Sequence, residues 1–441
     1  MFALLAAYAL CEELKPLILM PGLYGSQIYG TTEDFDTKYW YCATSLNDEV
    51  VWVDAAYVIP PLYNCLFEIL EGYYDNDKGI ISNKPKLDLH PHDYGGVEGI
   101  RKVIDVFGIK VMESFDSLID YLLDKGYEVQ KNLFGAPYDW RLAVAGLRHT
   151  TFFTDLKALC EKAYSVSKQK VTVLGYSLGG MMLSQFLGNT PEITTAWKNK
   201  YIDKAIFLAP AFAGAGDTLP VSWSQQFPIA TFLQDESIKN AIMNMPCVHV
   251  LYPNHVVFKG DTIIITEDGT KLGPESVAQF FIDHQKLVGD SIKMLNKNLE
   301  ISKVAPADPG VPLLMIYNSY IQTLIGLSFE NGYDSDPINL YTSGDGTVPS
   351  KGPEWGCKNW AADKALICYD FKNSASDFNH GGLGKNAYVK ELIYNYTNNL
   401  YDASNWQNQA RSRIVTAPLV LSDEDNYLVM DDVRPQSEVD V

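Results

Sequence analysis

Along the chain, short and mostly apolar runs alternate with stretches whose apolar positions recur at helical spacing. The runs Pro16–Met20, Val129–Phe134, Val171–Leu174, Ala205–Ala209, Leu313–Tyr317, Ile338–Tyr341 and Leu366–Phe371 read as strands. Several contain almost no polar residue, as expected of strands buried on both faces. Segments Ser114–Leu123, 154–168 and Leu178–Leu187 read as helices packed by an apolar face. Strand and helix taking turns predict an α/β fold, a mostly parallel sheet with helices on both faces.

Two segments break the rhythm. Residues 38–90 hold Tyr39-Trp40-Tyr41 and a run from Val50 to Leu66 whose only charge is Asp54. Residues 216–300 hold Trp223, a glutamine-rich turn and several short apolar runs. Both read as insertions in one domain spanning residues 12–420, while the Asp- and Glu-rich residues 421–441 read as a loose tail.

Charge narrows the partners. The chain has 441 residues, 47% of them hydrophobic, and 35 Lys and Arg against 54 Asp and Glu, a formal charge of −19. A nucleic-acid partner is not expected, because phosphate neutralisation needs clustered cations. Electrostatic attraction to anionic membranes at neutral pH is disfavoured as well. The acidity fits either plain solubility or work in an acidic compartment. Residues Met1–Cys11 are uncharged and mostly apolar, ending in Ala9-Leu10-Cys11. They read as a short signal peptide without the usual basic start; the alternative is an apolar N-terminus that is retained. The seven cysteines include no C-x-x-C spacing, so no zinc site is expected. The sequon Asn395-Tyr396-Thr397 is compatible with a secreted glycoprotein.

Gly175-Tyr176-Ser177-Leu178-Gly179 carries the chemistry. A serine hydroxyl becomes a nucleophile when a sharp strand-to-helix turn exposes it beside a base, and the glycines let the backbone make that turn. The apolar run before Ser177 and the apolar helix after it supply that context, which points to an α/β-hydrolase fold. An acid and then a histidine must follow in the chain. Asp345 lies in the glycine-flanked loop Ser343-Gly344-Asp345-Gly346-Thr347-Val348, and His380 is the only histidine after it. Taken singly, each could be a turn aspartate or a structural histidine; with Ser177 they make a catalytic Ser-Asp-His set. The oxyanion needs backbone donors, expected at Leu178 and, in the first strand's loop Pro21-Gly22-Leu23-Tyr24-Gly25, at Leu23. No metal or cofactor is called for.

These residues carry a resemblance. The chain resembles the lecithin:cholesterol acyltransferase and lysosomal phospholipase A family in Leu19-Met20-Pro21-Gly22 with Gly25, in Gly135-Ala136-Pro137-Tyr138-Asp139-Trp140-Arg141, in the Ser177 turn, in Gly344-Asp345-Gly346-Thr347-Val348 and in His380. They run in the family's order from residue 16 to about 400. The resemblance implies a disulfide-closed, membrane-binding element near the N-terminus, placed here between Cys42 and Cys65, with Val51, Trp52, Tyr57, Ile59 and Leu62 as membrane or substrate contacts. The plain alternative is a pair of reduced core cysteines. It likens residues 216–245 to an active-site lid and leaves Asp139 and Arg141 structural. Cys357 and Cys368 could form a second bridge, but the family's second bridge reaches back before the Asp loop and no cysteine stands near Leu313–Tyr317, so the partners of Cys247, Cys357 and Cys368 stay open. Two residues depart from the family. Tyr176 stands where animal members have His, and Leu23 where the lysosomal enzyme has an acidic residue, which bears on pH optimum and acceptor.

The expected function is that of a calcium-independent phospholipid acyl hydrolase and O-acyltransferase. It would form an acyl-enzyme and pass the acyl group to water or a lipid alcohol at a phospholipid membrane or lipoprotein surface. The rival readings are a neutral-lipid or small-ester lipase and an inactive lipid-binding protein on the same fold. The expected location is secreted or lysosomal, within the endomembrane lumen.

Overall fold

The computed structural model describes residues 13–106, 109–226, 235–360 and 365–400. The segments read as signal peptide and acidic tail lie outside the described residues.

Six strands form the central sheet: β1 (Leu17–Met20), β2 (Leu133–Gly135), β3 (Val171–Tyr176), β4 (Ile202–Leu208), β5 (Leu313–Tyr317) and β6 (Leu366–Asp370). They lie in the order β6-β5-β4-β3-β1-β2, and every pairing is parallel. Successive side chains serve opposite faces. Leu17, Leu19, Leu174, Ile206 and Leu314 join a core with Phe115, with Leu118 and Leu122 of helix Asp116–Asp124, which follows it, and with Val389 and Ile393 of helix Ala387–Thr397. Ile18, Met20, Val173, Phe207 and Met315 join the larger core of the other face, with Leu178, Met181 and Met182. This is an α/β-hydrolase sheet, and the unbroken apolar runs in the sequence are the strands that it buries on both sides. The chain leaves β1 for β2 on one side and returns to β3 on the other. A crevice therefore opens at the carboxyl ends of β1 and β3.

Two predicted strands are corrected. Only Leu133–Gly135 of the second enters the sheet. Ahead of it the chain turns, with Asn132 Oδ1 accepting from the Glu128 amide at 2.7 Å. Ile338–Gly344 leaves the central sheet altogether and pairs antiparallel with Ile321–Ser328. Its polar Asn339, Thr342 and Ser343 suit a strand with one wet face, not a doubly buried one.

The segment at 38–90 folds as strand Leu46–Trp52 against Ile28–Thr32, helix Tyr63–Leu70 and the hairpin Tyr73–Asp75 with Ile80–Ser82. Cys42 and Cys65 are bridged across 23 residues. Within 216–300, helix Glu236–Met243 packs on Tyr63–Leu70, where Ser237 Oγ donates to Asn64 Oδ1 at 2.7 Å. Residues 227–234 of the lid-like stretch lie outside the described residues. Cys357 and Cys368 form a second bridge, tying helix Lys351–Asn359 to β6; Cys160 and Cys247 are free and buried. That pairing differs from the family bridge that the resemblance implies, since Cys368 finds its partner just after the Asp345 loop.

Candidate active site

Ser177 sits at the turn between β3 and helix Leu178–Asn189, with φ 54° and ψ −121°. Such a backbone is uncommon for a residue with a side chain, and it lifts the hydroxyl clear of both elements. The turn is held by the Ser177 amide donating to Leu208 C=O at 3.0 Å and by Ser177 C=O accepting from Gly180 and Ala211. Gly179 allows close passage of the first loop: a Cβ there would lie 2.4 Å from the Pro21 carbonyl oxygen.

Asp345 follows strand Ile338–Gly344 and is almost fully buried. Its Oδ1 accepts from the amides of Thr347 at 3.0 Å and Val348 at 2.7 Å, leaving Oδ2 for the His380 Nδ1 at 2.8 Å. A carboxylate can only accept here, so Nδ1 carries the proton and Nε2 is free to accept from Ser177 Oγ, 2.9 Å away. Burial pushes the imidazole pKa down, but the charge and hydrogen bond of Asp345, and then the charge of Asp217, outweigh it and raise it above its ordinary value. The structure thus brings the three predicted residues into one hydrogen-bonded line from segments far apart in the chain.

Leu178 is the first residue of its helix, so its amide has no acceptor inside the helix. Leu23 follows Gly22, which packs directly on Ser177. The loop that carries Leu23 is braced from below. Tyr138 Oη donates to Pro21 C=O at 2.9 Å, Trp140 Nε1 to Ser26 C=O at 3.3 Å and Trp52 Nε1 to Tyr24 C=O at 3.1 Å. In the same motif the buried Arg141 pairs with Asp139 at 2.5 Å and reaches Asn83 and Leu70 C=O of the 38–90 segment. Sequence reasoning left the bracing role of Tyr138 and Trp140 unread, because it depends on what stands across the sheet from them.

The expected membrane contacts divide. Val51 and Trp52 are 0% and 2% exposed, within the main core, so they are corrected to structural residues. Tyr57 and Leu62 are half-buried, and Ile59 is 57% exposed. Trp40, at 94%, is the most exposed of the large apolar side chains among the described residues. It was visible in the sequence as the middle of an aromatic triplet, whereas the adjacent Val51 and Trp52 at the end of strand Leu46–Trp52 are both buried. A second residue missed by sequence is Asp217, which precedes helix Thr218–Ser224. Burial pushes its carboxyl pKa up to about 6, against the pull of His380. Among the described residues no group of three or more His, Cys, Asp or Glu could hold a metal ion.

A family model described as lecithin:cholesterol acyltransferase matches residues 48–322, more than half of the chain. Human phosphatidylcholine-sterol acyltransferase is 24% identical over 357 residues, 80% of this chain and 78% of that protein. The lysosomal phospholipase A and acyltransferase of Canis lupus familiaris is 24% identical over 334 residues, 76% and 80% of the two chains. Lecithin-cholesterol acyltransferase-like 1 of Arabidopsis thaliana is 26% identical over 362 residues, 77% and 82%.

Proposed function

The chain belongs to the lecithin:cholesterol acyltransferase family, and from that premise we propose that it is a serine phospholipase A and lipid O-acyltransferase. The observation that carries the reading is the line Asp345–His380–Ser177, with hydrogen bonds of 2.8 and 2.9 Å. His380 Nε2 takes the proton of Ser177 as Oγ attacks the ester carbonyl of a glycerophospholipid. Asp345 holds the imidazole in the required tautomer and stabilises its charged form. Amides of Leu23 and Leu178 receive the oxyanion. The tetrahedral adduct collapses, the lysophospholipid leaves with the proton from His380, and the acyl chain stays on Ser177. Water or a lipid alcohol then gives its proton to His380 and takes the acyl group, restoring the serine. These steps neutralise every developing charge with protein groups and call for no calcium.

Access to lipid is proposed through the Cys42–Cys65 element, where Ile59 and, two residues before Cys42, Trp40 are the exposed large apolar side chains. Each large apolar side chain moved from water into lipid contributes roughly 1.5–3 kcal/mol, enough for a few to hold an acidic protein at an interface. Among the described residues no helix is long and apolar enough to cross a membrane. Two disulfides support an oxidising compartment, the endomembrane lumen or outside the cell. The deciding assay incubates purified protein with phosphatidylcholine vesicles, with and without a lipid alcohol, and reads free fatty acid and acylated acceptor. Both products should vanish in Ser177→Ala. Unchanged product from that variant, or a soluble ester as the only substrate turned over, would overturn the proposal.

A further inference from the structure

Tyr176 is the last residue of β3 and directly precedes Ser177. Its hydroxyl donates to the backbone carbonyl of His380 at 2.8 Å. Its ring lies 5.3 Å from the imidazole at 23° from parallel, and Phe115 stands at 5.9 Å from the same ring. His380 needs such support. It opens a helix of four residues, His380–Leu383, and is followed by Gly381 and Gly382, a backbone with little stiffness of its own. Asp345 holds it at two points, through Nδ1 and through the His380 amide donating to Asp345 C=O at 2.8 Å. Both ties lie on the acid's side. On the nucleophile's side, besides the Nε2–Ser177 Oγ hydrogen bond itself, the tie comes from Tyr176, which directly precedes Ser177.

We propose that Tyr176 is a positioning residue for the acyl-transfer reaction: its hydroxyl and ring set the distance and angle between His380 Nε2 and Ser177 Oγ. The inference rests on the Ser177–His380–Asp345 reading above. Because the contact is to a main-chain carbonyl, it fixes where the imidazole starts from and leaves both ring nitrogens free for Asp345 and Ser177. Burial, and after it the charge of Asp345, push the phenol pKa far above its ordinary value, so the hydroxyl remains a donor throughout the working range.

The test uses a soluble short-chain p-nitrophenyl ester and the full chain carrying Tyr176→Phe or Tyr176→Leu. Tyr176→Phe should lower kcat roughly three- to tenfold with KM unchanged, the scale of one neutral hydrogen bond. Tyr176→Leu, which removes the stacked ring too, should lower kcat further. In a His380→Ala background neither change should matter, because both act through the imidazole. The His380 Nδ1 proton resonance, read well below the melting temperature of each variant, should broaden in Tyr176→Phe even if that variant melts earlier. Wild-type kcat and a sharp resonance in Tyr176→Phe would overturn the inference, as would the same fractional loss in the His380→Ala background. If Ser177→Ala and His380→Ala retain full ester hydrolysis, the triad reading itself fails; if both are inactive and Tyr176→Phe behaves as wild type, only the role of Tyr176 fails.

Discussion

Gly22 packs so closely on Ser177 that a Cβ on Gly22 would lie 2.9 Å from the Cβ of Ser177 and 3.4 Å from its Oγ. The first loop of the sheet and the serine turn are therefore a single unit, although residues 22 and 177 are far apart in the chain. Gly22→Ala should push the two apart. A displacement approaching 1 Å at a reacting group costs on the order of 10²-fold in rate. We expect kcat on a soluble ester to fall by at least about tenfold, with a folded protein in circular dichroism. An alanine variant with unchanged kcat would show that the loop gives way freely.

Docking and chemistry should separate by residue. Trp40→Ser with Ile59→Ser removes exposed apolar surface and should weaken vesicle flotation and activity on vesicles, leaving the soluble ester untouched. Trp52→Ser should lose activity on both substrates. It empties a core site, at about 3–5 kcal/mol for a large aromatic, and removes the donor that holds Tyr24 C=O. Equal losses on the two substrates from the Trp40 and Ile59 pair would count against the docking role.

Asp217 gives the site a pH signature. Burial raises its pKa from 3.8 to about 6, and His380 and Asp345 are the charged groups that act on it. Above that value Asp217 is ionised and helps to hold His380 protonated, whereas the reaction needs the neutral imidazole. Asp217→Asn should therefore move the acidic limb of kcat/KM to lower pH. The same raised pKa makes the folded state relatively favoured below about 4, an advantage lost as pH rises through about 6. Asp217→Asn should accordingly gain thermal stability over wild type at pH 7 and not at pH 4. A limb that stays in place or moves upward would remove Asp217 from the site's electrostatics.

The buried pair Asp139–Arg141 should behave as one structural unit. Leaving either charge alone in the core costs about 3–5 kcal/mol, so Asp139→Ala should lower the urea midpoint sharply. Asp139→Ala combined with Arg141→Met should cost less than the two single losses added together. Full additivity would mean that the two side chains do not share their stability through the ion pair.

Much of this protein is written locally. The doubly apolar runs at Leu17–Met20, Val171–Leu174 and Leu313–Tyr317 announce buried parallel strands, because only such strands need no polar face. The glycines around Ser177 announce the turn, and chain order alone singles out His380 as the histidine after Asp345. Trp52 was legible as apolar but not as buried: Val51 and Trp52 are adjacent in strand Leu46–Trp52 and both buried, so no alternation marks them and their burial depends on the core that the fold packs around them. The same limit hid Ile338–Gly344, whose pairing with Ile321–Ser328 depends on a neighbour and not on its own composition.

The sequence by itself determined the α/β layering and the serine turn, because each follows from side chains within a few residues of one another, and chain order named Asp345 and His380 as the candidate acid and histidine. Only the tertiary structure decided that Tyr176 reaches the carbonyl of His380, that the charge of Asp217 acts on the imidazole, that Cys368 closes on Cys357 and that Trp40 is exposed while Trp52 is buried. Those relationships join residues on different elements, and their energies exist only once the sheet has brought the elements within hydrogen-bonding, Coulombic or bonding distance.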